Sequence, residues 1–172
     1  GTPLDGGQYD LSETCDTFGY NGFDHYIIAD KDENGEIQGF RIPRNCQMNV
    51  NVKREVVEGD NVAADITITY LDEGTTPIKM QYNTWDNNVG GYGKLTEREK
   101  FIERKNTGRL VTTTLHFDDI NLGNMYALGV DFKLSGVSTE AYIKSVDVFV
   151  PEEYRVPVVD KKKTPPTAEE RR

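Results

Sequence analysis

The only tryptophan, Trp85, is followed at once by Asp86, Asn87 and Asn88 and then by Gly90, Gly91 and Tyr92, in the stretch "YNTWDNNVGGY". An indole offers a flat apolar face, amides and a carboxylate hydrogen-bond in pairs, and glycines let the backbone approach a ligand closely. Such a set suits a molecule with one apolar C–H face and a rim of hydroxyls, as a pyranose has. The competing reading is a Trp85 that closes the end of the core with a polar turn behind it, because a large aromatic is seldom left wholly exposed. Upstream, "TFGYNGFDHY" holds four more aromatics. Phe18 and Phe23 read as core, whereas Tyr20, between Gly19 and Asn21, is the better second platform.

A second stretch, "DKDENGEIQG" from Asp30 to Gly39, spaces Asp30, Asp32 and Asn34 at alternate positions and puts Gly35 sixth, as in a calcium loop. The twelfth position, which should supply a bidentate carboxylate, is Arg41. A cation there repels calcium, and the flanks "FDHYIIA" and "IQGFRI" are aromatic and β-branched rather than helical. Asn34-Gly35 between two strand-like runs predicts a hairpin tip with two positive-φ residues, a type I′ turn.

Catalysis finds weaker material. Asp118-Asp119 and Glu152-Glu153 are adjacent acids among 29, no GxSxG or HExxH occurs, and the two histidines, His25 and His116, lie far apart. Asp118 and Asp119 read as turn caps at a strand end. His116 shares an alternating face with Thr112 and Thr114 and reads as solvent-facing. Cys15 and Cys46 fit either a disulfide in an exported protein or two unpaired thiols, and lack the spacing of a metal or redox motif.

The 172 residues suffice for one domain with its own core. A net charge of −9 argues against nucleic-acid phosphates and anionic membranes as partners. No apolar run reaches the roughly 20 residues that a membrane span needs. No signal peptide is visible, although Gly1 reads as an expression remnant and a targeting segment can have been removed.

Positioning falls to strands. "HYIIA", "GFRIP", "MNVNVKREV", "AADITITYL", "IKMQYNT", "LVTTTLHF", "GVDFKLS" and "AYIKSVDVFV" are eight strand candidates separated by Gly- and Asn-rich turns. Ile66, Ile68 and Tyr70 alternate with Asp65, Thr67 and Thr69, and Val111, Thr113, Leu115 and Phe117 repeat the pattern, the mark of antiparallel strands with one buried face. "LTEREKFIER" is too short and too poor in apolar residues to anchor a helical layer and reads as a strand or a single turn. Many short strands without helices predict an all-β, antiparallel two-sheet sandwich of jelly-roll type. A tail over 1–8, a sandwich over 9–155 and a linker over 156–172, "VPVVDKKKTPPTAEERR" with its consecutive prolines, complete the organisation.

The motif order resembles that of galactose-binding-like β-sandwich domains attached to bacterial, Bacteroides-type polysaccharide-degrading proteins. The matching residues are Tyr70-Leu71-Asp72, Asn106-Thr107-Gly108, Phe117-Asp118-Asp119, Gly123-Asn124 and Asp131-Phe132-Lys133, spread over about residues 60–150. Arg109 stands where that pattern has a tryptophan and Lys133 where it has an arginine, so no sugar contact is carried over to position 109. The resemblance implies a secreted or cell-surface accessory module joined to a neighbouring domain. It also implies a structural calcium near the termini, for which Asp147, Asp5, Asp10 and Glu13 are the resembling positions. Together these readings predict a non-catalytic module that binds a polysaccharide or oligosaccharide without a required cofactor. Trp85, helped by Tyr92 or Tyr20, would stack on a sugar while Asp86, Asn87 and Asn88 read its hydroxyls. An accessory sandwich that braces a neighbouring domain and binds no glycan is the alternative.

Overall fold

The computed structural model describes residues 8–18, 27–57, 61–86, 93–123 and 129–154. In these the chain forms eleven strands and one short 3-10 turn, Glu152–Tyr154. The strands are β1 (Gln8–Asp10), β2 (Cys15–Phe18), β3 (Ile28–Lys31), β4 (Ile37–Ile42), β5 (Met48–Val52), β6 (Val62–Asp72), β7 (Ile78–Asp86), β8 (Lys94–Ile102), β9 (Arg109–Ile120), β10 (Phe132–Ser135) and β11 (Ala141–Phe149). One sheet runs β1-β2-β5-β10-β7-β8 and the other β3-β4-β11-β6-β9, with every pairing antiparallel.

Numbered as a set of eight, β4 to β11 place the first, eighth, third and sixth strands in one sheet and the second, seventh, fourth and fifth in the other. That order is the jelly roll expected from the strand-rich sequence. The β1–β2 hairpin widens the first sheet beyond β5, and β3 widens the second beyond β4.

Strict alternation builds the core. Along β6 the residues Val62, Ala64, Ile66, Ile68 and Tyr70 are buried and their neighbours are not, and β7 repeats this with Ile78, Met80 and Tyr82. The inner faces meet at Phe40, Met48, Phe117, Phe132, Leu134, Ile143 and Val146, all within one apolar cluster. Tyr82 of one sheet meets Phe117 of the other edge to face, with centroids 4.8 Å apart at 83°. Such a pair adds roughly 0.5–1.5 kcal/mol beyond its area burial.

Three strands exceed the eight candidates. β1 and β2 are too short to leave a periodic signal, whereas β8 holds all but the last two residues of "LTEREKFIER", extended and paired with β7 through Ile102. Its inward row is Arg98, Lys100 and Ile102, of which Ile102 is buried, Lys100 half-buried and Arg98 exposed. Lys100 donates from Nζ to the carbonyl of His116 on β9 at 2.6 Å and lies 4.7 Å from the Phe117 ring centroid.

The β3–β4 hairpin corrects the expected type I′ tip. Gly35 alone has positive φ, +81°, and its N–H donates to the Asp32 carbonyl at 3.0 Å, while the Asp32 N–H donates to the Glu36 carbonyl at 2.9 Å. One left-handed residue after a tight turn makes a bulged hairpin. The Asp32 carboxylate accepts the N–H groups of Asn34 and Glu36 at 2.8 and 2.9 Å, so it holds the turn.

Cys15 and Cys46 are not joined in a disulfide; Cys15 is buried in the core and Cys46 is half-buried. Burial pushes the Cys15 thiol up to about 12.

Candidate functional site

The register of β7 decides where the key aromatic points. Ile78, Met80, Tyr82 and Thr84 face the core, so Lys79, Gln81, Asn83 and Trp85 face outward from the first sheet. Trp85 is half-buried on this outer face and is no cap of the core. Its backbone is clamped by one side chain: Asn61 Oδ1 accepts the Trp85 N–H at 2.6 Å, and Asn61 Nδ2 donates to the Trp85 carbonyl at 2.6 Å. Asn61 sits at φ +50°, a conformation that asparagine tolerates better than most residues. The indole in turn packs against Gly93, where a Cβ would come within 2.8 Å of the ring. A glycine is required there both for its φ of +81° and for room.

Beside Trp85 the outer face is polar across several strands. Leu95 lies opposite Trp85, Glu97 opposite Asn83 and Glu99 opposite Gln81 on β8; Lys133 of β10 lies opposite Gln81, and Asn49 of β5 opposite Lys133. Gln81 donates to Glu97 at 3.1 Å. Lys133 and Asn49 are buried, at 5% and 2% exposure, and burial lowers the Lys133 ammonium below the usual lysine range while Glu97 pulls it back up. The Asn49 and Asn51 Oδ1 atoms are buried acceptors without a hydrogen-bond partner among the described residues. An unmet buried acceptor costs about 1–3 kcal/mol, which a hydroxyl donor would recover. Amide, carboxylate and ammonium groups are thus arrayed beside an indole on one face.

Of the residues expected at the site, Trp85 and Asp86 stand together at the end of β7, with Asp86 half-buried and opposite Lys94. Asn87, Asn88, Tyr92 and Tyr20 lie outside the described residues, as do Phe23, Tyr26, His25 and Asp5. Asp10 pairs with Lys53 at 2.8 Å, while Glu13 and Asp147 are exposed. Among the described residues no three His, Cys, Asp or Glu side chains gather as metal ligands do.

Two acids expected in a turn prove to lie within β9 itself. Asp118, 88% exposed, stands 3.2 Å from His116 Nε2, and Asp119 accepts the Thr84 hydroxyl at 3.0 Å. β9 runs on to Ile120 with an irregular register against β6, which keeps both acids in the strand. His116, flanked by Asp65 and Asp118, is 68% exposed on the outer face of the second sheet. The Asp65 carboxylate raises the imidazole above its ordinary range.

Several motif residues have structural partners. The buried Asp72 carboxylate accepts the Lys105 N–H at 2.6 Å, the Thr107 N–H at 3.3 Å and the Thr107 hydroxyl at 2.7 Å, tying Tyr70-Leu71-Asp72 to Asn106-Thr107-Gly108. Those hydrogen bonds, the Thr107 hydroxyl's first, hold Asp72 below the usual carboxylate range. Asp131 accepts the Val52 N–H at 2.9 Å and pairs with Arg54 at 2.5 Å, joining β10 to β5.

Sequence reasoning missed Gln81, Asn83, Glu97, Lys133 and Asn49 as parts of one face. The signal was present in part: in "IKMQYNTW" the alternate set to the core residues is Lys79, Gln81, Asn83 and Trp85. Glu97, Lys133 and Asn49 needed the pairing of β7 with β8 and of β10 with its neighbours. Comparison of the chain with protein-family models, curated proteins and solved structures found no match.

Proposed function

We propose that this jelly roll is a non-catalytic carbohydrate-binding module, an accessory domain of a secreted or cell-surface bacterial protein that acts on polysaccharides. The observation that carries the reading is the outward-facing Trp85, held by Asn61 and Gly93 at the end of a polar row of Gln81, Asn83 and Glu97. An indole beside hydrogen-bonding groups matches the two-sided chemistry of a sugar ring. Its binding mode is docking: stacking on Trp85, with amides and Glu97 pairing hydroxyls, and no bond broken. The motif resemblance to galactose-binding-like domains supports the same reading, although its Asp72 and Asp131 serve the fold.

Affinity electrophoresis tests it. Native gels cast with soluble plant and bacterial polysaccharides should retard the intact chain on at least one of them, and Trp85→Ala should run as in a blank gel while keeping its unfolding midpoint. Unchanged retardation of Trp85→Ala would remove this site from consideration.

A second reading, an interaction sandwich without a glycan ligand, draws on apolar groups at the open flank. Phe101 of β8, 49% exposed, lines a cavity of about 330 Å³ together with Tyr70 and Val111, and Leu110 of β9 is 51% exposed. An intact chain that no polysaccharide retards would favour this reading.

A further inference from the structure

The outer face of the second sheet carries another aromatic held against glycine. Tyr142 leaves β11, passes over Gly39 of β4 and donates its hydroxyl to Asp30 Oδ2 of β3 at 2.7 Å. A side chain that crosses a whole strand to reach the next must lie down along the sheet, since neighbouring strands are about 4.8 Å apart. Gly39 makes this possible: a Cβ there would sit 2.5–2.6 Å from the Tyr142 hydroxyl and ring carbons. φ at Gly39 is not in the left-handed region, so space is the reason for this glycine.

Around the ring is a cavity of about 370 Å³ lined by Ile28, Asp30, Lys31, Arg41, Glu140 and Tyr142. That is the small end of the range for ligand sites, about 300–1,000 Å³, and suits one ring-sized molecule. Arg41, the residue that spoils the calcium-like spacing of the hairpin sequence, pairs through Nε with Glu140 at 3.6 Å across the cavity wall. Two carboxylates and two cations leave the walls without net charge, which favours a neutral ligand rich in hydroxyls over an anion.

We propose that this cavity is a second saccharide site, in which a neutral pyranose stacks on Tyr142 and its hydroxyls pair with Asp30, Arg41 and Glu140. It lies on the opposite sheet from Trp85 and does not depend on that residue. The hydrogen bond to Asp30 fixes the ring in place, and burial with that bond pushes the phenol up to about 12, so the hydroxyl stays a donor at all ordinary pH values. A single sugar held by one ring and a few polar groups binds in the millimolar range.

The test is an NMR titration of the intact chain, labelled in its tyrosine and tryptophan rings and arginine side chains, with methyl β-galactoside, methyl β-glucoside and methyl α-mannoside, and with galacturonate as the charged comparison. Saturable movement of the Tyr142 and Arg41 signals is expected with at least one neutral glycoside. It should persist in Trp85→Ala and weaken by about tenfold in Gly39→Ala, which keeps the tyrosine but displaces its ring, and in Tyr142→Ala the Arg41 signals should no longer move. No movement with any neutral glycoside, a stronger response to galacturonate, full binding by Gly39→Ala, or loss in Trp85→Ala would each overturn the proposal. Trp85 signals in the same spectra report the first site separately.

Discussion

At the scale of single residues, the titratable groups divide into those that hold the fold and those that face solvent. His116 belongs to the second kind, yet Asp65 favours its charged form. Because the folded-state value lies above the ordinary 6.5, the small stabilisation from this pair is complete below pH 6.5 and fades as pH rises through the folded value. An NMR titration should find His116 above 6.5, and Asp65→Asn should return it toward that value; an unmoved midpoint in the variant would contradict the pairing. Cys15 shifts in the same direction for a different reason, since its burial disfavours the thiolate. Its contribution is intact below its ordinary 9.0 and is lost as pH climbs from there toward about 12. A thiol reagent should therefore modify Cys46 first in the native protein and Cys15 only on unfolding. Equal labelling rates for both would show that the β2 core position opens readily.

At the scale of elements, the alternation of β6 and β7 was legible because each buries one complete row, and "AADITITYL" and "IKMQYNT" carry that period without interruption. β9 shows the same period less deeply: Val111, Thr113 and Leu115 turn inward but stay half-buried, because β9 is an edge strand. β8 was hidden by its composition, since its inward row holds Arg98 and Lys100, and the Lys100 stem lies over Phe117 where an apolar residue would lie elsewhere. The hairpin tip was legible as a turn and misread in type, because Asn34-Gly35 fits both turns and the Asp32 carboxylate decides between them. Just past β8, Arg104 is buried and donates to the Thr76 carbonyl at 2.5 Å, the Glu140 carbonyl at 2.8 Å and the Thr139 hydroxyl at 2.6 Å, linking three connections at one end of the sandwich. Arg104→Ala should cost about 2–4 kcal/mol in urea unfolding, since it strands buried acceptors. Phe117→Ala should cost about 3–5 kcal/mol, as it removes the partner of Tyr82 and leaves a cavity between the sheets. A loss below 1 kcal/mol in either variant, measured at an unchanged slope, would contradict the packing described.

At the scale of the whole molecule, the jelly roll gives two broad outer faces, and the polar chemistry of this chain is written on them. Trp85 could be singled out as a candidate from the sequence, because a lone tryptophan beside Asp86 and paired asparagines stands out from the strands around it. The face to which it belongs could not be read, because Glu97, Lys133 and Asn49 come from three strands separated in sequence and are joined only by register. Tyr142 and Gly39 illustrate the same limit, being about a hundred residues apart and meaningful only as a pair. The central claim is that Trp85 forms the stacking surface of a sugar-binding face. Isothermal titration calorimetry with the most strongly retarding polysaccharide, on the intact chain and on Trp85→Ala, tests it most directly. Saturable heat is expected for the parent chain and an affinity at least about tenfold weaker for the variant, a loss of about 1.4 kcal/mol or more. Equal affinities for the two proteins, with both folded, would contradict it.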